Sequence, residues 1–291
     1  MKLKKILKYF FATLLVLLVA AWVIFRFFMD MNKSDEEILT FFEEKGLEAP
    51  HFNILTENEN TLHYVASEQP AGPQVVFVHG SPGSWDAYIS FFVDTLLRNR
   101  ASLYAVDRPG YGKSNPGQPE SSMHKQAEAL LPLLQKLDPN RPRILVGHSL
   151  GGPIVFCAAM DYPDLVDGVV SVAGLTDPAL ESRPGILYPL RSPALRWLLP
   201  PGMDVCNREI LPLKGELEGM APLWREIQAS CYIIQGDADV LVEKENADYA
   251  EEKLTNTNFT TIRLPGENHF TIWTRPDLVK RAIFCLGDEC G

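Results

Sequence analysis

The sequence predicts an α/β protein with a mostly parallel sheet, preceded by an N-terminal apolar helix. Three observations carry this. Short β-rich runs at 75–78, 103–106, 143–146, 168–173, 231–235 and 259–264 alternate with helical patterns, the order that crossover-connected parallel strands require. A glycine-flanked serine, Gly147-His148-Ser149-Leu150-Gly151, stands between one of those runs and a helix of small and apolar residues at 153–162. Finally, 291 residues with 46% hydrophobic and 22% charged content can bury one large core, as α/β folds of roughly 250 residues commonly do. No internal repeat or low-complexity run breaks the pattern.

The N-terminal element comes first. Lys2, Lys4, Lys5 and Lys8 precede an apolar run at 9–25 that continues through Phe27, Phe28 and Met29, interrupted only by Arg26. About 20 apolar residues cross a hydrocarbon core, whereas the apolar stretch of a secretory signal is about 7 to 15 long. Residues 1–29 are therefore expected to be a retained single-pass anchor rather than a cleaved signal. No cysteine precedes Cys157 to accept a lipid. Lysines ahead of the span place the N-terminus in the cytoplasm and the remainder on the outer, extracytoplasmic or periplasmic, face.

Residues 30–50 form a juxtamembrane helix and linker. Ser34-Asp35-Glu36-Glu37 has capping-box spacing, and Ile38, Leu39, Phe41 and Phe42 make one apolar face. Docking of that face on the domain is the simpler expectation. Beyond the span, all 37 acidic residues face 22 of the 27 Lys and Arg, leaving a formal charge of −15. No basic patch is visible, so nucleic acid is not an expected partner.

The serine motif carries the chemistry. In a G-x-S-x-G elbow, a sharp strand-to-helix turn exposes the central hydroxyl, and the flanking glycines avoid collision with the neighbouring strand and helix. Ser149 is the candidate nucleophile. It needs a base to take its proton and a carboxylate to orient that base. On this kind of sheet these follow in the order serine, acid, histidine. His51, His63, His79, His124 and His148 all precede Ser149, so His269, in the loop Pro265-Gly266-Glu267-Asn268-His269-Phe270, is the candidate base. Asp239, after the run 231–235, is the preferred acid. Asp237 beside Gly236 is the natural brace for the turn, and Asp177 after 168–173 is a third candidate.

The oxyanion of an acyl-transfer intermediate is held by backbone N–H groups. One is expected from Leu150, the residue after the nucleophile. The second is expected from Ser81 in His79-Gly80-Ser81-Pro82-Gly83, which follows the first buried run. His79 itself is expected to pack beneath that loop.

Together, VVFVHGSPGS, YAVDRPGYGKS, ILVGHSLGG, YIIQGDADVLV and LPGENHF, in this order, resemble the α/β-hydrolase fold superfamily from about Gln74 to the C-terminus. The resemblance implies helices on both faces of the sheet, a Ser149–Asp239–His269 triad, and an oxyanion hole at Ser81 and Leu150. Haloalkane dehalogenase and epoxide hydrolase members carry aspartate at the elbow, so Ser149 argues against both. The HGSPG loop is similar to the HGGPG of proline iminopeptidases, which usually carry a different elbow sequence.

The core is thus expected at 51–176 and 229–291, with 177–228 as an inserted helical cap. That stretch is too long for an ordinary connection. Its Leu187, Leu190, Trp197, Leu198, Leu199 and Trp224 are candidates either for an apolar pocket wall or for packing the cap onto the core. Cys157 and Cys231 are expected to be buried, while Cys206, Cys285 and Cys290 are available for a bridge whose pairing the sequence does not define. No dinucleotide fingerprint or metal-ligand spacing stands out, so no cofactor and no metal are expected. The function expected is a serine hydrolase of ester-like bonds on a small or acyl-chain substrate. Acyl transfer, or amidase or aminopeptidase action, would use the same triad, and a catalytically silent binding protein is the third reading.

Overall fold

The computed structural model describes residues 2–28, 33–57, 60–181, 185 and 187–287. Met29 and Cys290, named above, lie outside them. Eight strands form one sheet in the order β1-β2-β4-β3-β5-β6-β7-β8. They are β1 (His51–Glu57), β2 (Asn60–Ser67), β3 (Gln74–Val78), β4 (Ser102–Val106), β5 (Arg143–His148), β6 (Gly168–Val172), β7 (Ser230–Gly236) and β8 (Phe259–Leu264). The six from β3 to β8 are parallel, and β1 and β2 join as an antiparallel hairpin at the β4 edge.

That hairpin is the main departure from the sequence reading, which placed no strand before residue 74. β1 is an edge strand with no buried residue, so it lacks the apolar alternation by which a strand is recognised. The central strands are buried on both faces, and alternate residues go to opposite sides. Val76, Val78 and Leu145 pack with the Gly151–Asp161 helix, while Val75, Phe77, Ile144 and Val146 pack with the Pro276–Leu286 helix.

The Asp35–Glu44 helix starts at the expected capping box. Ser34 Oγ accepts from the Glu37 N–H at 3.2 Å, and the Ser34 N–H donates to Glu37 Oε2 at 2.7 Å. Ile38 and Phe42 are buried on the face of the sheet that carries Val75 and Phe77, so this helix docks on the domain. Between β6 and β7 the described residues include helices Leu187–Leu190, Pro201–Ile210 and Leu213–Met220 and 3-10 turns at Arg196–Leu198 and Ala221–Glu226.

The N-terminal helix runs Lys2–Phe28, and its Lys4–Arg26 portion is long and apolar enough to cross a bilayer, with a mean hydropathy of 2.2. Its far end touches the segment between β6 and β7. Trp22 Nε1 donates to the Leu198 carbonyl at 3.0 Å, and Arg26 donates to the Leu199 carbonyl at 3.0 Å. Cys157 and Cys231 are free thiols, and Cys285 is disulfide-bonded.

Candidate active site

Ser149 follows β5 at the carboxyl ends of the parallel strands, where open α/β sheets place their ligands. Its φ is +55°, in the left-handed region that costs a non-glycine residue free energy. The turn is held by packing on both sides. A Cβ at Gly147 would lie 2.3 Å from the Gly151 carbonyl oxygen, and one at Gly151 would lie 2.2 Å from that of Val78. Only glycine fits at either position, and the Ser149 N–H is tied to the Val172 carbonyl at 3.0 Å.

His269 and Asp239 sit on loops after the neighbouring strands β8 and β7. These loops are fastened together, since the Ala238 N–H donates to the Glu267 carbonyl at 3.0 Å. His269 Nδ1 lies 2.8 Å from Asp239 Oδ2, and the other carboxylate oxygen accepts the N–H groups of Leu241 and Val242, each at 2.9 Å. Burial alone would raise the Asp239 pKa. The hydrogen bond from His269 and the two backbone donors outweigh it and hold the carboxyl below its ordinary range.

The alternative acids are engaged elsewhere. Asp237 accepts the Gly266 N–H at 2.6 Å, bracing the turn, and Asp177 accepts the Ala179 N–H at 2.8 Å.

His148, the elbow residue before Ser149, bridges to the histidine loop. Its Nε2 donates to the His269 carbonyl at 3.0 Å, and the two rings are 4.8 Å apart. Burial, and then the neighbouring His269, push its pKa down to about 4, so it is neutral at pH 7.

The HGSPG loop lies against the serine, since a Cβ on Gly80 would come within 2.9 Å of the Ser149 Cβ. Neither the Ser81 nor the Leu150 backbone N–H donates to another described residue. His79 is structural. Its Nδ1 donates to the Gly80 carbonyl at 2.7 Å, its Nε2 accepts the Arg108 N–H at 3.0 Å, and burial pushes its pKa down to about 3.

Sequence reading missed the residues behind this loop. Arg108 is fully buried and donates to the carbonyls of His79 (2.8 Å) and Gly80 (2.9 Å). Because the peptide unit is planar and trans, its C=O and N–H point oppositely. A Gly80 carbonyl aimed at Arg108 therefore turns the Ser81 N–H away from the guanidinium. Arg108 also grips Glu209 of the Pro201–Ile210 helix through both oxygens, at 3.0 and 3.1 Å. Glu209 accepts in addition from Tyr111 Oη at 2.6 Å and from Ser81 Oγ. Arg108 stands beside Asp107 in the run YAVDRPGYGKS with nothing local to mark it as buried, and its acidic partner lies 101 residues away.

A buried pair is costly to break because the remaining charge is stranded, by about 3–5 kcal/mol. Glu209→Ala is expected to lower the melting temperature by roughly 6–20 °C, at about 2–4 °C per kcal/mol for a domain of this size. Lys113→Ala, which opens the exposed Lys113–Asp35 pair, should cost less than about 1 kcal/mol. Thermal unfolding of both variants checks the contrast, and equal shifts would refute it.

Of the six apolar residues singled out between β6 and β7, Trp224 is buried against Phe156 and Tyr249 and belongs to the core, not to a pocket wall. Trp197 and Leu198 are exposed beside the N-terminal helix. A cleft of about 500 Å³ bounded by Leu62, Pro109, Asn115 and Lys125 touches none of Ser149, Asp239 and His269.

The family profile of the alpha/beta hydrolase fold matches residues 73–202. The chain belongs to the α/β-hydrolase superfamily. This α/β-hydrolase is 24% identical over 251 residues to 2-(acetamidomethylene)succinate hydrolase of Mesorhizobium japonicum, covering 74% of the chain and 88% of that protein. It is 31% identical over 138 residues to bifunctional epoxide hydrolase 2 of Sus scrofa, covering 47% of the chain but spanning only 24% of the relative's length. Among solved structures it is similar to a membrane phospholipase A described as a bacterial virulence factor. The TM-score is 0.65 at 19% identity, with 97% of this chain and 98% of the other covered.

Proposed function

We propose that this α/β-hydrolase is a membrane-anchored serine hydrolase that cleaves esters of apolar acyl chains through an acyl-enzyme. The observation that carries the reading is a serine in left-handed backbone geometry between two obligatory glycines, on the same rim as a buried His–Asp pair. His269 takes the Ser149 proton as Oγ bonds to the ester carbonyl carbon. The Ser81 and Leu150 N–H groups receive the oxyanion. Collapse breaks the bond to the alcohol oxygen, which leaves with the proton from His269. Water then repeats the cycle on the acyl-enzyme, and Asp239 keeps the imidazole in the working tautomer and stabilises its charged form.

An apolar acyl substrate is supported by the exposed rim. Val240 and Leu241 follow Asp239, and Phe270 follows His269, at 90%, 58% and 53% exposure. Tyr188, Trp197 and Leu198 add exposed apolar surface on the segment that meets the N-terminal helix. In this reading 1–29 is the anchor, 30–50 links it to the 51–176 and 229–291 core, and 177–228 is the cap. The orientation rests on the four lysines ahead of the span. The serine at the elbow argues against epoxide opening despite the likeness to an epoxide hydrolase.

One preparation tests both parts. After carbonate and high-salt washing, the protein and its esterase activity are expected to stay with the membranes. Turnover there should favour nitrophenyl esters of longer acyl chains over short ones, with aminoacyl amides poorest. Release at reduced mass would show a cleaved signal. Preference for amides, or for an acyl acceptor other than water, would move the chemistry to amide hydrolysis or acyl transfer.

A further inference from the structure

Away from Ser149, three donor atoms of different kinds converge between two helices. Cys157 and Asp161 stand one turn apart on the Gly151–Asp161 helix and so share a face. His124 of the Met123–Glu128 helix meets them. His124 Nδ1 is 2.7 Å from Asp161 Oδ2 and 3.2 Å from Cys157 Sγ, and Sγ is 3.8 Å from Oδ2. Cys157 forms the buried floor, while the side chains of His124 and Asp161 are 38% and 24% exposed and leave the cluster open to solvent.

Hydrogen bonding alone uses this arrangement poorly. Nδ1 carries at most one proton, so it cannot donate to both neighbours, and the thiol is left with a long contact to the carboxylate. A cation satisfies all three at once. The point equidistant from the three atoms lies about 1.9 Å from each, so zinc bonds of about 2.0–2.3 Å put an ion roughly 1 Å off their plane. The surrounding charge is favourable. Glu216 of the Leu213–Met220 helix acts with Asp161 on Cys157, and Glu128 acts with Asp161 on the neighbouring Tyr162.

We propose that His124, Cys157 and Asp161 bind a divalent transition-metal ion of zinc's class. The nitrogen, sulfur and oxygen donor set suits such an ion and not magnesium or calcium. On binding, the thiol releases its proton to solvent, and the imidazole gives up the Nδ1 proton that faces Asp161 while Nε2 takes one from solvent. The Nδ1 lone pair and the thiolate then coordinate, and one proton is freed per ion. With three protein ligands, a fourth position stays open to water. The ion would pin the elbow helix to the Met123–Glu128 helix, whose first N–H is already held by Glu216 at 3.0 Å. Sequence reading passed over this site because its ligands come from segments 33 residues apart.

The test uses the full-length protein in detergent, without a histidine tag, in chelator-treated buffer. One equivalent of Co²⁺ is expected to give a thiolate-to-cobalt charge-transfer band that Zn²⁺ displaces. His124→Ala and Cys157→Ser should each abolish the band or weaken binding at least tenfold. His124 is partly exposed, so its variant keeps the test decisive if the buried Cys157 variant fails to fold. No band in the natural protein, or undiminished binding in His124→Ala, overturns the proposal. The outcome is independent of the esterase reading, because it is read by metal binding alone.

Discussion

Ser149→Ala is expected to lower esterase kcat by about 10⁶ and to abolish covalent labelling by a fluorophosphonate probe. The magnitude follows from serine proteases, where the nucleophile and its partners act as a unit and losing the nucleophile alone costs about as much as losing all three. The variant should remain folded. Ser149 sits at φ +55°, a geometry that alanine tolerates no worse than serine, and no described hydrogen bond depends on its hydroxyl. Labelling of the variant at the level of the natural protein would place the nucleophile elsewhere, and with it the whole reading of the elbow.

The second large effect concerns the acid. Asp239→Asn is expected to cost about 10⁴ in kcat, because an amide facing His269 Nδ1 favours the tautomer that leaves no lone pair for the serine proton. Asp237→Asn and Asp177→Asn should each cost about tenfold or less, since their carboxylates serve the local backbone. Circular dichroism separates chemistry from unfolding. A crippled Asp177 variant beside an active Asp239 variant would move the acid to the β6 end of the sheet.

The parallel strands were legible because they are buried on both faces and read as continuous β-branched and apolar runs, as in Val75-Val76-Phe77-Val78. Their register places the loops bearing Ser149, Asp239 and His269 at one end of the sheet. The β1–β2 hairpin was not legible, because its edge strand, with no buried residue, mixes Phe52, Ile54 and Leu55 with polar residues in no sustained alternation. The capping box at Ser34 was readable for the opposite reason, since four adjacent residues contain the whole interaction.

The site divides the same way. Ser149 and His269 were singled out by local pattern and chain order. Arg108 and Glu209 were not, because a buried ion pair is defined by two distant segments and neither carries a mark of its partner. Trp224 was ambiguous from sequence, where an aromatic residue on a cap and one plugging a core look alike. Its contact with Phe156 decides for the core.

The carboxylate of Glu209 sits at a junction. It belongs to a helix between β6 and β7, yet it binds the side chain of Ser81 and the arginine that turns the Gly80–Ser81 peptide. The segment between β6 and β7 is therefore not an interchangeable part. Grafting it from a relative, or trimming it for a broader substrate range, would strip the guanidinium of its counter-charge and free the peptide that it orients. Any exchange must carry position 209 and position 108 together, so under the proposed hydrolase reading substrate range is more readily varied at the exposed Val240, Leu241 and Phe270 than by replacing the segment whole.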